Sequence, residues 1–481
     1  MKHRNTVHFF LNGKHHELSP ASPTQTVLQY LREQMHLTGT KEGCAEGDCG
    51  ACTITEASVD VKGSLRYRAV NACIRFTPTL DGKAIWTVEG VTSNEGRLHP
   101  VQQALVDHHG SQCGFCTPGF VMSLYTMYQN GLTQPAREQV LASLSGNLCR
   151  CTGYRPIIDA ALNMGTYPAV ESEHVETREK LLALRNRGAT SLALEACGQQ
   201  YFAPGTADEL AALYAAHPDA VLLAGGTDIG LWITKQKKTL REVIYLGNIP
   251  ELDDIRQEDG YLRIAAGVDL NDGYQAVSAH YPEALEIWKR FASMPIRNSG
   301  TLVGNLANGS PIGDTAPLFI ALGAKVILRK GQHRRTLELE DLYLDYRKQD
   351  RVGGEFLEAV LLPLRRPGLQ LASYKLSKRF DQDISAVCTA YALALNDGKV
   401  SMVRIAHGGM AATSRRAPGA EKALLGQAWN AANVRRAMDA LSRDYQPLTD
   451  MRASGSYRLK AAQNLLYRFY LESTGMTDTR V

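Results

Sequence analysis

Net charge is scarce in this 481-residue sequence: 53 lysines and arginines against 49 aspartates and glutamates leave a formal +4 at neutral pH. So small a balance gives no case for nucleic acid or an anionic membrane surface as a partner. A long apolar run is missing from the start, since "VHFFL" within "MKHRNTVHFFLNGKHHEL" is too short for a signal-peptide core or a membrane span. A cytoplasmic location is the expectation. The fingerprint G-x-G-x-x-G is absent, which removes a Rossmann dinucleotide unit. Cysteine is nearly absent from the last two thirds of the chain, where Cys197 and Cys388 stand alone and are expected to be buried small apolar residues.

What is present is concentrated at the other end. A length of 481 residues with 44% hydrophobic and 21% charged content describes a globular chain of about three domains. The remaining eight cysteines fall in the first third as two groups of four: Cys44, Cys49, Cys52 and Cys73, then Cys113, Cys116, Cys149 and Cys151. A reducing compartment disfavours disulfides, so this is the arithmetic of two four-ligand metal sites.

The first group, in "TKEGCAEGDCGACTI" and "VNACI", reads C-x4-C-x2-C with a distant fourth cysteine, the plant-type [2Fe-2S] spacing. Gly43, Gly47 and Gly50 suit a loop that turns its amides toward a cluster. A structural zinc site is the alternative, but zinc loops usually pair cysteines as C-x2-C on both sides. A hairpin turning at Asn12-Gly13 precedes the loop, followed by a helix in "TVLQYLREQM" with Leu28, Leu31 and Met35 on one face. With strands in "RYRAVNACIRF" and "AIWTVEG", this is a β-grasp ferredoxin arrangement.

The second group is C-x2-C, thirty-two residues, then C-x-C in "GNLCRCTGYRP". In an extended segment residues i and i+2 share a face, so Cys149 and Cys151 are expected to present both sulfurs to one object. Helices in "VQQALVDHHG", "TPGFVMSLYTMYQNG", "REQVLASLSGN" and "YRPIIDAALNMG" make a four-helix bundle around it, with Phe120, Leu124 and Met127 at helical spacing. Beyond a charged linker, "ESEHVETREKLLALRNRG", strands and helices alternate. Thr206 and Glu209 resemble a capping box, and "AVLLAGGTDIG" reads as a buried strand entering a glycine turn. A second glycine-rich run, "RNSGTLVGNLANGSPIGDTAP", follows about eighty residues on. Two amide-rich loops suit a diphosphate, yet the residues alone leave open two plain loops of an α/β domain. His15, His16, His108 and His109 form pairs without a ligand spacing and are expected to be surface or structural, and "KQKKTLR" to be a solvated face.

"GCAEGDCGACTI", "QCGFCTPGF" and "NLCRCTGYRPIIDA" closely resemble the iron-sulfur domain of the xanthine dehydrogenase and aldehyde oxidase family of molybdenum hydroxylases. The resemblance implies a plant-type cluster on Cys44, Cys49, Cys52 and Cys73 and a second on Cys113, Cys116, Cys149 and Cys151, the latter nearest the molybdenum cofactor. Gln112 would then mark the partner interface. "LLAGGTDIG" and "GTLVGNLANGSPIGD" look like the family's two FAD-binding segments, in a flavin fold of vanillyl-alcohol-oxidase type. By position they imply FAD contacts at Leu222, Leu223, Ala224, Gly225, Gly226, Thr227, Asp228, Ile229, Phe291, Thr301, Gly304, Asn305 and Asp314, with Leu357 and Lys375 as weaker matches. "VRIAHGGMAATSRRAPGAE" resembles the C-terminal flavin-subdomain motif.

The implied architecture is α+β and multidomain: a plant-type ferredoxin domain over 1–90, a helical cluster domain over 91–168, a linker over 169–197, an FAD domain over 198–366 and a C-terminal α+β flavin subdomain over 367–481. Nothing in the chain matches a molybdopterin-binding module, so the resemblance implies a separate large subunit carrying molybdenum, in a heterotetramer of two small and two large chains. Clusters that precede the flavin in one polypeptide favour the xanthine dehydrogenase type. The implied electron path runs from molybdenum through the Cys113/Cys149 cluster, the Cys44/Cys73 cluster and FAD to NAD. No residue of this chain is expected to be a proton-transfer catalyst for the purine.

Overall fold

In β1 (Val7–Leu11) the side chains alternate between the interior and a more open face, and Val7, Phe9 and Leu11 are buried. Asn12 and Gly13, both at positive φ, turn the chain into β2 (Lys14–Leu18), as a tight hairpin of this twist requires. Helix α1 (Val27–Gln29) starts on a capping box, with Thr26 accepting from the Gln29 amide, and widens into a π-turn over Tyr30–Gln34 rather than running on as an α-helix. Leu28 and Leu31 are buried as the periodicity requires, while Met35 packs at the rim. Strands β3 (Thr53–Val59), β4 (Leu65–Asn71) and β5 (Ala84–Trp86) complete a sheet of order β2-β1-β5-β3-β4, in which β1 and β5 are parallel.

The computed structural model describes residues 4–92, 96–170, 174–186, 191–476 and 479. Its chain divides into two units, Met1–Asp253 with Ala292–Gly300, and Asp254–Phe291 with Thr301–Val481. In the first unit, α2 (Pro100–Asp107), α3 (Thr117–Gln129), α4 (Arg137–Ser143) and α5 (Arg155–Asn163) share a core with Tyr67 and Trp86, and Phe120, Leu124 and Met127 lie inside it. Residues 171–173 and 187–190 of the expected linker lie outside the described residues; the rest holds α6 (His174–Asn186) and β6 (Leu192–Ala196). With β7 (Gln199–Ala203), β8 (Val221–Leu223) and β9 (Glu242–Tyr245), β6 forms a sheet of order β6-β7-β9-β8. Helix α7 (Ala207–Ala216) follows β7, and α8 (Ile229–Thr234) follows β8.

Three expectations change here. Strand β8 has only three residues and only Leu223 is buried, because it is the edge of its sheet. At α7 the Thr206 side chain caps the Glu209 amide, but Glu209 reaches back to the Gly205 amide, so the box is not reciprocal. Cys197 is exposed: it takes a positive φ in the two-residue turn between β6 and β7, and its thiol donates to the Ala21 carbonyl at 3.1 Å. Cys388 is fully buried, as expected.

In the second unit, strands Ile255–Glu258, Tyr261–Ala265, Phe356–Pro363, Lys325–Lys330 and His333–Glu338 lie side by side in that order, all antiparallel. A second sheet is built mainly from Gln370–Leu376, Val387–Asn396 and Lys399–Gly408, and helices Pro418–Leu424, Ala431–Asp444 and Gly455–Ser473 cover it. Among the described residues no helix is long and apolar enough to cross a membrane.

Candidate redox-cofactor sites

The loop between α1 and β3 gathers four sulfurs from two segments. The Cys49 and Cys73 thiols hydrogen-bond to Cys44 and hold it well below the ordinary thiol range; Cys49 and Cys73 are pushed up by the same sharing and by burial. Cys52 is lowered, first by its hydrogen bond with Cys73. The amides of Asp48 and Cys49 donate to the Cys44 sulfur at 3.3 Å each. Gly47 at φ 78°, just before them, turns the chain so that these amides face the sulfur. Converging sulfurs ringed by N–H donors are a donor set suited to a thiolate-ligated, negatively charged cluster.

The second set converges differently from the expectation. The chain bends through Arg150 to Thr152 instead of running extended, so Cys149 is buried and Cys151 exposed. Each therefore meets a different member of the C-x2-C pair: Cys149 hydrogen-bonds with Cys116, and Cys151 with Cys113. Burial pushes the Cys116 thiol up to about 12, with the Cys149 hydrogen bond adding to it. Cys149 lies below its ordinary value: burial works against the thiolate, but hydrogen bonds from Thr152 and Cys116 outweigh it. Thr152 Oγ1 stands 3.1 Å from that sulfur, and the Cys149 amide donates to the Tyr154 hydroxyl at 3.1 Å.

Direct contacts tie the two sets together. The Leu148 amide, one residue before Cys149, donates to the Cys49 carbonyl at 3.0 Å. Buried Asn147 gives its Nδ2 to the Gly50 carbonyl and to Thr53 Oγ1, each at 3.3 Å, and accepts from Ser123 Oγ at 2.6 Å. Gly119 of α3 lets the loops meet, since a Cβ there would lie 2.2 Å from the Gly50 carbonyl oxygen.

The first glycine turn, Leu222 to Ile229, lies in the same unit. Among the described residues the amides of Gly225, Gly226, Thr227 and Asp228 take no hydrogen-bond partner, which leaves a row of donors for an anion. A Cβ on Gly225 would meet the Ser299 carbonyl oxygen at 1.8 Å, so only glycine fits. At the far side of the turn, a Cβ on Gly230 would lie 2.6 Å from the carbonyl oxygen of Ile74, the residue after Cys73. Lys235 and Glu46 pair at 3.5 Å, joining α8's end to the first cysteine loop; the rest of "KQKKTLR" up to Thr239 is exposed.

The remaining candidates lie in the second unit. Thr301 caps helix Leu302–Asn308 by accepting from the Gly304 amide at 3.1 Å, with Asn305 half-buried on the same turn. Asp314 is buried; its Oδ2 takes the Lys375 ammonium at 2.6 Å and its Oδ1 accepts from Ser385 Oγ at 2.5 Å. Leu357 is buried opposite Leu328, and Phe291 meets Tyr274 edge-on at 5.8 Å. The structure thus brings Asp314 and Lys375 into contact and keeps Thr301 and Gly304 together on one helix start.

Four family profiles match in series. They are described as a 2Fe-2S iron-sulfur cluster binding domain at 9–74, a [2Fe-2S] binding domain at 87–162, the FAD binding domain in molybdopterin dehydrogenase at 195–365, and the CO dehydrogenase flavoprotein C-terminal domain at 372–473. A carbon monoxide dehydrogenase from Hydrogenophaga pseudoflava, in a form lacking the Mo-pyranopterin moiety of its molybdenum cofactor, is 31% identical with a TM-score of 0.53, over 56% of this chain and 94% of that one. The chain belongs to the molybdenum hydroxylase family, as an iron-sulfur and FAD member. Quinoline 2-oxidoreductase from Pseudomonas putida 86 is 25% identical with a TM-score of 0.52, over 57% of this chain and 97% of that one. The xanthine dehydrogenase of Emericella nidulans is 32% identical across 99% of this chain, and the chain spans only 39% of that relative's length.

For a member of this family, several site residues escape sequence reasoning. Asn147 and Ile74 stand inside the quoted motifs but carry no signature of their own; the fold alone gives them their contacts. Ser385 and Ser123 are single hydroxyls whose partners lie 71 and 24 residues away, and no local pattern signals such pairs.

Proposed function

We propose that the chain is the electron-transfer subunit of a xanthine dehydrogenase, working with a separate molybdenum-bearing large subunit and reducing NAD in the cytoplasm. Cys44, Cys49, Cys52 and Cys73 hold one [2Fe-2S] cluster in this reading, and Cys113, Cys116, Cys149 and Cys151 the other. Leu222 to Ile229, Phe291, Thr301, Gly304, Asn305, Asp314, Leu357 and Lys375 bind FAD. The domain limits are those at 90, 168, 197 and 366, and the assembly is two small and two large chains. When bound, the clusters exchange single electrons and the flavin exchanges one or two, which permits hydride transfer to NAD.

The observation that carries the reading is the contact of Ile74, beside Cys73, with Gly230 at the end of the first glycine turn. It sets the Cys73 segment directly against the first glycine turn, which supports electron transfer between a cluster and a flavin there, while Leu148 and Cys49 link the two cysteine sets. Exposed Gln112, Cys113, Phe115, Leu148 and Cys151 offer the partner a face beside the second set. Identity to a xanthine dehydrogenase over 99% of this chain favours the purine substrate.

Solved neighbours that act on carbon monoxide or quinoline favour a second reading, in which the same chain serves an aldehyde or N-heterocycle hydroxylase. Co-purification with the large subunit followed by substrate-dependent NAD reduction separates the two. Xanthine turnover supports the first; turnover of aldehydes or N-heterocycles alone leaves only the second. About four iron and four labile sulfides per chain with one FAD are expected, and two zinc ions in a colourless protein would sink both readings.

A further inference from the structure

The hairpin register brings together three metal donors that their order in the sequence conceals. His8 on β1 lies directly opposite Glu17 on β2, and His15, two residues before Glu17, shares its face. One donor atom from each of the three residues can be chosen so that all lie within 4.8 Å of one another. His8 and His15 stack with ring centroids 5.6 Å apart, and His8 Nδ1 is 3.4 Å from Glu17 Oε1. His16 belongs to the opposite face, against Phe9, and is no part of the group.

We propose that His8, His15 and Glu17 bind one divalent transition-metal ion of zinc type, with water completing the shell. Ligand atoms around a tetrahedral zinc stand roughly 3.3 to 3.6 Å apart, so small side-chain rotations close the observed spacing. The other ring nitrogen of His8 is already engaged, since Nε2 lies 3.0 Å from Thr6 Oγ1. A proton on Nε2 donated to Thr6 leaves the Nδ1 lone pair facing the Glu17 carboxylate. In that tautomer a cation between the two acceptors satisfies both, and a hydroxyl bonded to the far ring nitrogen is the usual companion of a metal-bound imidazole. The competing arrangement is the other tautomer, in which Nδ1–H donates to Glu17 and Thr6 donates to Nε2. Three protein ligands with an open position suit reversible binding.

The test is calorimetric titration of the full-length, cofactor-loaded protein with Zn²⁺ in a non-chelating buffer, comparing the parent with His15→Ala, Glu17→Ala and Thr6→Val. Each ligand variant is expected to lose one ion per chain or weaken its binding at least ~10-fold, and Thr6→Val to weaken it about 10-fold or more. Electron paramagnetic resonance of Cu²⁺ at the same site should show two coupled imidazole nitrogens in the parent and one in His15→Ala. Parent-like stoichiometry and affinity in both ligand variants, or an unchanged nitrogen count, overturns the proposal and leaves His8 as a hydrogen-bond partner of Glu17 without a metal.

Discussion

Replacing Asn147 by alanine tests how the two cysteine loops are held. The Gly50 carbonyl keeps the Thr53 amide at 3.1 Å and the Thr53 hydroxyl at 2.7 Å, so it is not orphaned. Ser123 is different: it is 2% exposed and its hydroxyl donates to Asn147 Oδ1 at 2.6 Å. A buried hydroxyl left without a partner costs about 1–3 kcal/mol, and the lost amide volume adds about 1 kcal/mol of cavity. Asn147→Ala should therefore destabilise the first unit by about 2–4 kcal/mol. If the orphaned hydroxyl dominates, removing it as well must recover part of the loss. Ser123→Ala with Asn147→Ala should show a coupling of about 1–2 kcal/mol in a double-mutant cycle. Urea titrations of the four proteins, followed by near-ultraviolet dichroism and by visible absorption, give all the terms. A coupling below about 0.3 kcal/mol, or a single-variant cost below about 0.5 kcal/mol, refutes the account.

Gly225→Ala drives a methyl into the Ser299 carbonyl at 1.8 Å and should release FAD, read as a fall in the flavin-to-protein ratio with iron content retained. Asp314→Ala leaves the Lys375 ammonium buried without its counter-charge; a loss of about 3–5 kcal/mol in thermal or urea unfolding is expected, with Asp314→Asn milder. Burial lowers His407 to about 3 and His99 to about 4, so both stay neutral in the folded chain while the unfolded chain binds protons below its ordinary value of 6.5. Stability from each is present above pH ~6.5 and falls as pH drops toward those values, by about 2 kcal/mol each between pH 7 and 5. Unfolding midpoints should fall over that interval in the parent and less steeply in His407→Gln.

The parts legible beforehand share one property: their signals are local. Asn12-Gly13 names its own turn, Leu28 and Leu31 mark a buried face, and C-x4-C-x2-C encodes a loop geometry in spacing alone. Chemistry that depends on chain crossings was not legible. Cys149 and Cys151 were expected to present both sulfurs to one object from an extended segment, because i and i+2 share a face in a strand, whereas the bend through Arg150 to Thr152 gives each a different partner, Cys116 and Cys113. Cys197 looked like core because free cysteines usually are, but a two-residue hairpin turn places its side chain outside regardless of polarity. His8 and Glu17 become neighbours only once the hairpin register is known.

The same distinction explains why the glycines matter more than the motif around them. "GGTDIG" by itself is an ordinary turn, and the residues gave no reason to prefer a cofactor loop over a plain one. Gly225 and Gly230 are fixed instead by what lies against them, the Ser299 carbonyl on one side and the Ile74 backbone on the other. A side chain at Gly230 would push the turn away from the segment that carries Cys73, and one at Gly225 would push it away from Ser299; in either case its open amides would move with it. A backbone that must approach another backbone within van der Waals range tolerates no Cβ. The spacing between the Cys73 segment and the glycine turn is thereby set by a hydrogen atom on Gly230 rather than by any side chain that a motif search would weigh.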